Sequence, residues 1–365
     1  MPQLYNPTAV PNVAFLTRGD KDWGLGHLHR TSWLFAELSQ CGRTDLAFQV
    51  FCRNSALARA FAWPSGLQVH LCTDPAATAA QELHAGDLAI VDSLDSSAVV
   101  IHGLRATGVH VALFDDCGEA QGEADLVVNA LLSPLEAREA QIGRARVLSG
   151  ARFMHFPPEV IKLRQVARAT QRAAETELAA PLPELVAGAE EPRAMLVSFG
   201  GSPVQAAIAL AFAGLRRVAY GGKVIVMPAP TPAERRMALG PDGPDELDVE
   251  WCEAGPEFHI LLAASDMAIL AGGLTLHEAA LLGVPAVCIA LRGHQADSAR
   301  RLEVAGACLY AGRLEDLTPE DVAGHLATLI SSAELRGRMA ARGMAIYDGK
   351  GLQRTVDALL SLLSP

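Results

Sequence analysis

The sequence predicts an α/β protein built from two Rossmann-like domains, each a parallel sheet covered by helices. Three observations carry this. Apolar runs of four to seven residues recur along the chain and are continuous rather than alternating, as strands buried on both faces require. Each run is followed by a helical pattern, the βα alternation that builds parallel sheets. The chain has 365 residues, half of them hydrophobic, more than a single core usually supports.

In order, the first-half strands are "VAFLT" (13–17), "LAFQVFC" (46–52), "VHLC" (69–72), "LAIVD" (88–92), "VALFD" (111–115) and "LVVNA" (126–130). The second half gives "MLVSF" (195–199), "KVIVM" (223–227), "VEWC" (249–252), "MAILA" (267–271), "AVCIAL" (286–291) and "CLYA" (308–311). Between the halves, residues 165–193 are rich in Ala and Glu, carry Pro181, Pro183 and Pro192, and have no strand signal. The expected organisation is an N-terminal domain over 1–155, a helical linker over 156–190, a C-terminal domain over 190–345, and a last amphipathic helix over 346–365 that could dock back on the first domain. Helix punctuation supports the second half. Ser202 with Pro203, and Thr318 with Pro319, read as N-cap followed by first-turn proline.

Charge and cysteine usage exclude several classes. Thirty basic against 41 acidic residues give a net charge of −11, with no basic run, so a nucleic-acid groove is not expected. The seven cysteines are scattered without a CxxC pair and read as small buried hydrophobes in a reducing compartment. The N-terminal stretch has no signal-peptide pattern and no run approaches the ~20 apolar residues that span a bilayer. The expectation is a cytoplasmic protein without stable membrane insertion.

In open α/β sheets ligands bind beyond the carboxyl ends of the strands, so the residues there are the candidates. After the first strand come Arg18, Asp20 and "GLGHLHR", with Gly24, Gly26, His27 and Arg30. Asp92 and Asp95 follow the fourth strand, Asp115 and Asp116 the fifth. In the second half "MLVSF" leads into Gly200, Gly201 and Ser202; "MAILA" into Gly272, Gly273, Leu274, Thr275 and Glu278; and "AVCIAL" into His294 and Gln295.

Two glycine-rich turns that open into helices aim backbone N–H groups and positive helix ends at one crevice, which suits a diphosphate. Glu278, three residues beyond Thr275, could accept both ribose hydroxyls. The bland alternative is that the glycines only make tight turns and Glu278 complements the helix dipole. "GLGHLH" approaches the dinucleotide pattern GxGxxG but has His29 where the third glycine belongs, which weakens an NAD reading. On a helix, His27 and His29 would point about 200° apart and would not share a metal. Asp115 and Asp116 could hold a cation, or simply end a strand. His27, in a glycine-flanked turn at a strand end, could take a proton from water or an acceptor hydroxyl, oriented by Asp20, Asp92 or Asp115; otherwise it packs at a helix start.

Taken together, "RGD…GLGHLHR", "IVDSLD", "LFDD", "VSFGGS" and "AGGLTLHEAALLGVPAVCIAL…HQ" resemble the UDP-2,4-diacetamido-2,4,6-trideoxy-β-L-altropyranose hydrolases of pseudaminic acid biosynthesis, which belong with the GT-B glycosyltransferases. The resemblance implies a GT-B-like fold, two parallel sheets facing a central cleft that holds a UDP-sugar. It implies water attack at the anomeric carbon with inversion and loss of UDP, in making a nonulosonate for flagellin or surface glycosylation. His27 would be the base, Gly273, Leu274 and Thr275 would contact the diphosphate, Glu278 the ribose, and Gln295 the sugar or phosphate. No cofactor and no metal would be needed. The alternative is a GT-B glycosyltransferase that moves the sugar to an acceptor.

Overall fold

The computed structural model describes residues 10–20, 24–116, 118–131, 133–166, 192–201, 203–239 and 247–363. The chain divides into two compact units, Met1–Phe156 with Gly349–Pro365, and Pro157–Asp348. Most of the expected linker and the expected cap Ser202 lie outside the described residues.

Unit 1 is one sheet of β1 (Asn12–Thr17), β2 (Ala47–Arg53), β3 (Gln68–Cys72), β4 (Leu88–Val91), β5 (His110–Phe114), β6 (Leu126–Asn129), β7 (Arg138–Ile142) and β8 (Ala145–Ser149). The strand order is β3-β2-β1-β4-β5-β6-β8-β7. Pairing is parallel except between β7 and β8. Apolar burial varies with position in the sheet. Central β4 is buried at every residue, while outer β3 is partly exposed and edge β7 is exposed throughout. The hairpin β7–β8 is not among the expected runs. Its outer strand, "REAQI", has no continuous apolar stretch because neither face is covered. The helices are α1 (Gly26–Ser39), α2 (Ala56–Ala60), α3 (Pro75–Glu82) and α4 (Ala98–Ala106).

Unit 2 begins with a helix, α5, described over 158–166. Its sheet comprises β9 (Ala194–Ser198), β10 (Lys223–Val226), β11 (Asp248–Trp251), β12 (Met267–Leu270), β13 (Ala286–Ala290) and β14 (Leu309–Arg313), in the order β11-β10-β9-β12-β13-β14. All its pairings are parallel. The helices are α6 (Gln205–Arg217), α7 (Pro232–Leu239), α8 (Phe258–Ala264), α9 (Leu274–Leu282), α10 (Gly293–Val304), α11 (Pro319–Ser331) and α12 (Ala333–Ile346). The N-cap expected at Thr318 is present as a capping box with Asp321. The start expected at Ser202–Pro203 is corrected: Val204 is extended (φ −104°, ψ 94°), so α6 cannot begin before Gln205.

The chain then returns to unit 1 as α13 (Gly351–Leu362). Residue 346 ends α12 rather than opening the last helix, and Tyr347 between them is extended. The apolar stripe of α13 buries Leu352, Val356 and Leu359, and the helix packs on α1 and the 3₁₀ turn Ala151–Phe153. Among the described residues no helix is long and apolar enough to cross a membrane. Of the described cysteines, Cys52, Cys288 and Cys308 are buried and all are free thiols; Cys41, Cys72 and Cys252 are only partly covered, short of the expected burial.

Both sheets have the same plan. β1 pairs with β2 on one side and β4 on the other, and β9 pairs with β10 and β12. The chain winds outward in one direction, then returns to the centre and winds the other way. The loops after β1 and β4, and after β9 and β12, therefore part at a switch point where α/β sheets bind ligands.

Candidate active site

In unit 1 the switch point is filled by a charged network. The Asp92 N–H bonds the Leu16 carbonyl at 2.9 Å, which extends the β1–β4 ladder by one residue and sets Asp92 beside the first turn of α1. Its Oδ1 lies 2.6 Å from His27 Nδ1, and its Oδ2 accepts the Arg30 Nε–H at 2.8 Å. Arg30 also reaches Asp92 Oδ1 with Nη2 and Asp115 Oδ2 with Nη1. His27, Arg30 and Asp92 are 8%, 6% and 4% exposed. Burial works against ionising Asp92, but Arg30 first and His27 second outweigh it and hold the carboxyl well below the usual carboxylate range. Burial likewise opposes the Arg30 charge, and the two carboxylates overcome it and raise its pKa.

Of the three acids that sequence left open as partner of His27, Asp92 is the one bonded to the ring. Asp115 connects to it only through Arg30. Two assignments are corrected here. Arg30, expected on the substrate, is buried with Nε, Nη1 and Nη2 all engaged by carboxylates inside the unit. Asp115, expected in the chemistry, has its other oxygen on the Ala130 and Leu131 N–H groups at 2.8 and 2.7 Å and is a buried bracket. Asp116 is a second bracket, on the Ser96 and Gly118 N–H groups at 2.9 and 2.6 Å. Among the described residues no group of three or more His, Cys, Asp and Glu is placed to hold a metal. Arg18 donates to the Ser93 carbonyl at 2.7 Å and pairs with Asp95 at 3.4 Å. The Gly24 N–H bonds the Asp20 carbonyl at 2.7 Å, just ahead of Gly26 and His27 at the start of α1.

Unit 2 presents backbone instead. Gly200 and Gly201 come after β9, and Gly272 and Gly273 after β12, its neighbour in the sheet. Gly273 is the N-cap of α9 and offers no side-chain cap, so the first-turn amides at Leu274 and Thr275 keep their donors for another acceptor. A Cβ on Gly272 would stand 2.3 Å from the Gln295 carbonyl oxygen, so only glycine lets the turn pack on α10. Gln295 in turn accepts the Leu291 N–H at 2.9 Å through Oε1. His294 sits beside it in the first turn of α10.

Glu278 lies on α9, 5% exposed. Its Oε2 is 3.2 Å from His259 Nε2, and His259 Nδ1 is 3.5 Å from Glu159 Oε1. Burial would lower the His259 pKa, but Glu159 and Glu278 outweigh it and push it up to about 9. The stability this ion pair adds is therefore complete below the ordinary histidine value and is lost as pH rises through about 9. His259 had no signal in the sequence: it is a lone histidine in the apolar helix "FHILLAA".

No protein-family model matches the chain. The chain is 25% identical over 285 residues to the spore coat polysaccharide biosynthesis protein SpsG of Bacillus subtilis strain 168, which covers 76% of this chain and 77% of that protein. Among solved structures it is similar to MurG of Acinetobacter baumannii, with a TM-score of 0.66 and 15% identity over 96% of this chain and 99% of that one. It is also similar to CalG4, the calicheamicin glycosyltransferase, with a TM-score of 0.59 and 15% identity over 97% and 98% of the two chains. At these identities the two structures speak for the fold alone: α/β, two Rossmann-like units with parallel sheets, of the GT-B class.

Proposed function

We propose that the chain is an enzyme of polysaccharide biosynthesis that takes a UDP-sugar and transfers the sugar to an acceptor hydroxyl with inversion. The observation that carries the reading is the His27–Asp92 bond of 2.6 Å at the switch point of unit 1. With Nδ1 holding its proton against Asp92, Nε2 is the basic nitrogen of a neutral imidazole. It takes the acceptor O–H proton as that oxygen bonds the anomeric carbon and the carbon–diphosphate bond breaks, its electron pair leaving on UDP. Asp92 offsets the charge of the imidazolium that results. Arg30 keeps Asp92 ionised, so the proton stays on the ring. Unit 2 would hold UDP, with the Gly272–Thr275 turn and the start of α9 facing the diphosphate charge that grows on departure. The similarity to SpsG supports polysaccharide biosynthesis, and the GT-B fold supports glycosyl transfer.

The same machinery would serve hydrolysis with water as acceptor. The resemblance of "GLGHLHR" and "SFGGS" to motifs of UDP-sugar hydrolases favours that second reading. UDP release from UDP-N-acetylhexosamines, with and without a panel of saccharide acceptors, separates the two. Release only on acceptor addition gives transfer. Stoichiometric release of UDP and free sugar without acceptor gives hydrolysis. No release in either arm ends both readings.

A further inference from the structure

Glu278 is a carboxylate buried in a helix of unit 2, a costly placement without a cation. Unit 2 supplies that cation from a separate helix. His259 on α8 stands between Glu278 on α9 and Glu159 on α5, one carboxylate at each ring nitrogen, at 3.2 and 3.5 Å. Ionised carboxylates only accept, so a ring that serves both must carry both protons. The Phe258 ring meets the imidazole edge-on at a centroid distance of 5.2 Å. The arrangement uses only one of the two Glu278 oxygens. Oε1 accepts no hydrogen bond among the described residues. Glu278 lies one turn past the uncapped amides of Leu274 and Thr275, where a diphosphate and its ribose would adjoin.

We infer that His259 is a positioning residue: it grips Oε2 of Glu278 and so sets Oε1 toward a ribose hydroxyl, the contact that the resemblance implies for Glu278. This rests on unit 2 being the nucleotide-binding unit. Glu159 completes the device, since removing its charge leaves the imidazolium one counter-charge short and loosens its hold on Glu278. A histidine that merely packed three helices together would affect the two nucleotides alike.

The test is calorimetric titration of UDP and 2′-deoxy-UDP into the full chain, wild type and His259→Leu, with Glu159→Gln as a milder variant. Wild type should bind UDP ~10-fold or more tighter than 2′-deoxy-UDP, the scale of a hydrogen bond to a charged group. In His259→Leu the preference should fall to about twofold or less through loss of UDP affinity, with Glu159→Gln between the two. Should His259→Leu not fold, His259→Gln and the ring ¹⁵N spectrum of the wild-type protein carry the test: an imidazolium whose Nε2 resonance shifts with UDP and not with 2′-deoxy-UDP supports the inference, and a neutral or unresponsive ring overturns it. A His259→Leu protein that keeps the full preference also overturns it, leaving the nucleotide site intact. Equal binding of the two nucleotides by wild type removes the ribose role of Glu278 along with it. Absence of UDP binding by wild type overturns the nucleotide reading itself.

Discussion

At the amino end of its sheet, unit 1 fastens β1 to β4 with Asp87, whose Oδ1 accepts the Asn12 N–H at 2.8 Å. Unit 2 does the same with Asp266, whose Oδ2 accepts the Ala194 N–H at 2.9 Å. Five residues on, the ladders end alike: the Asp92 N–H bonds the Leu16 carbonyl at 2.9 Å and the Ala271 N–H bonds the Ser198 carbonyl at 3.2 Å. Up to that bond the two units repeat each other. Beyond it they part. Unit 1 has a carboxylate at the position where unit 2 has an alanine followed by two glycines, and the one gathers side-chain charge while the other opens backbone donors. Strained backbone stands at the same strand ends of unit 1, where Leu94 after β4 is at φ +67° and Asp115 after β5 is at φ +46°. A left-handed non-glycine residue costs on the order of 1–3 kcal/mol and persists where its surroundings over-determine it. For Asp115 the Arg30 guanidinium and the Ala130 and Leu131 N–H groups do so. One scaffold therefore presents two chemistries, set by the residue type just past the ladder.

The comparison breaks first at His27. His27→Asn should cut turnover by ~10²–10⁴, the usual loss for a general base, and leave UDP affinity essentially unchanged. A steady-state rate near wild type would remove the base from unit 1. Next is Arg30→Met, which strands Asp92 and Asp115 in the interior and should cost about 3–5 kcal/mol of stability in urea unfolding. Its pH dependence has a definite sign. Because the Asp92 carboxyl is held below its ordinary value, the stability it contributes is present above about pH 4 and is lost as pH falls from there. The gap between wild type and Arg30→Met should therefore narrow in acid. A gap independent of pH would mean that Arg30 acts by packing alone.

Much of the central sheets was legible because strands buried on both faces leave continuous apolar runs, and Asp92, Asp115 and Gly272 stand where those runs stop. The rest was illegible for physical reasons. The edge strand β7 covers no core and so has no hydrophobic pattern, although the tight Gly143-Arg144 loop, with Gly143 at φ +58°, is a hairpin signal in its own right. Whether Arg30 meets a ligand or a neighbouring acid is decided by the residues at the ends of β4 and β5, 62 and 85 positions away in the chain. His259 and Glu278 are 19 residues apart on different helices, and no local spacing joins them. One long-range signal was present in the string: "DLAIV" (87–91) and "DMAIL" (266–270) are the same device written twice.

That repeat yields the smallest and sharpest contrast. Asp87 is buried and uses both oxygens, Oδ1 on the Asn12 N–H and Oδ2 on the His84 N–H, each at 2.8 Å. In Asp87→Asn the amide NH₂ must face one of those donors, leaving a buried N–H unsatisfied at a cost of about 1–3 kcal/mol. Asp266 is exposed and accepts both the Arg193 and Ala194 N–H groups on Oδ2 alone, at 2.8 and 2.9 Å. An asparagine there can present its one carbonyl oxygen to both, and water can solvate the amide, so Asp266→Asn should cost less than about 1 kcal/mol. Hydrogen exchange read separately in β1 and β9 makes the comparison within one chain. Protection should fall in β1 for Asp87→Asn and hardly change in β9 for Asp266→Asn. Equal losses would mean that the staples act through charge rather than through the number of oxygens each must supply.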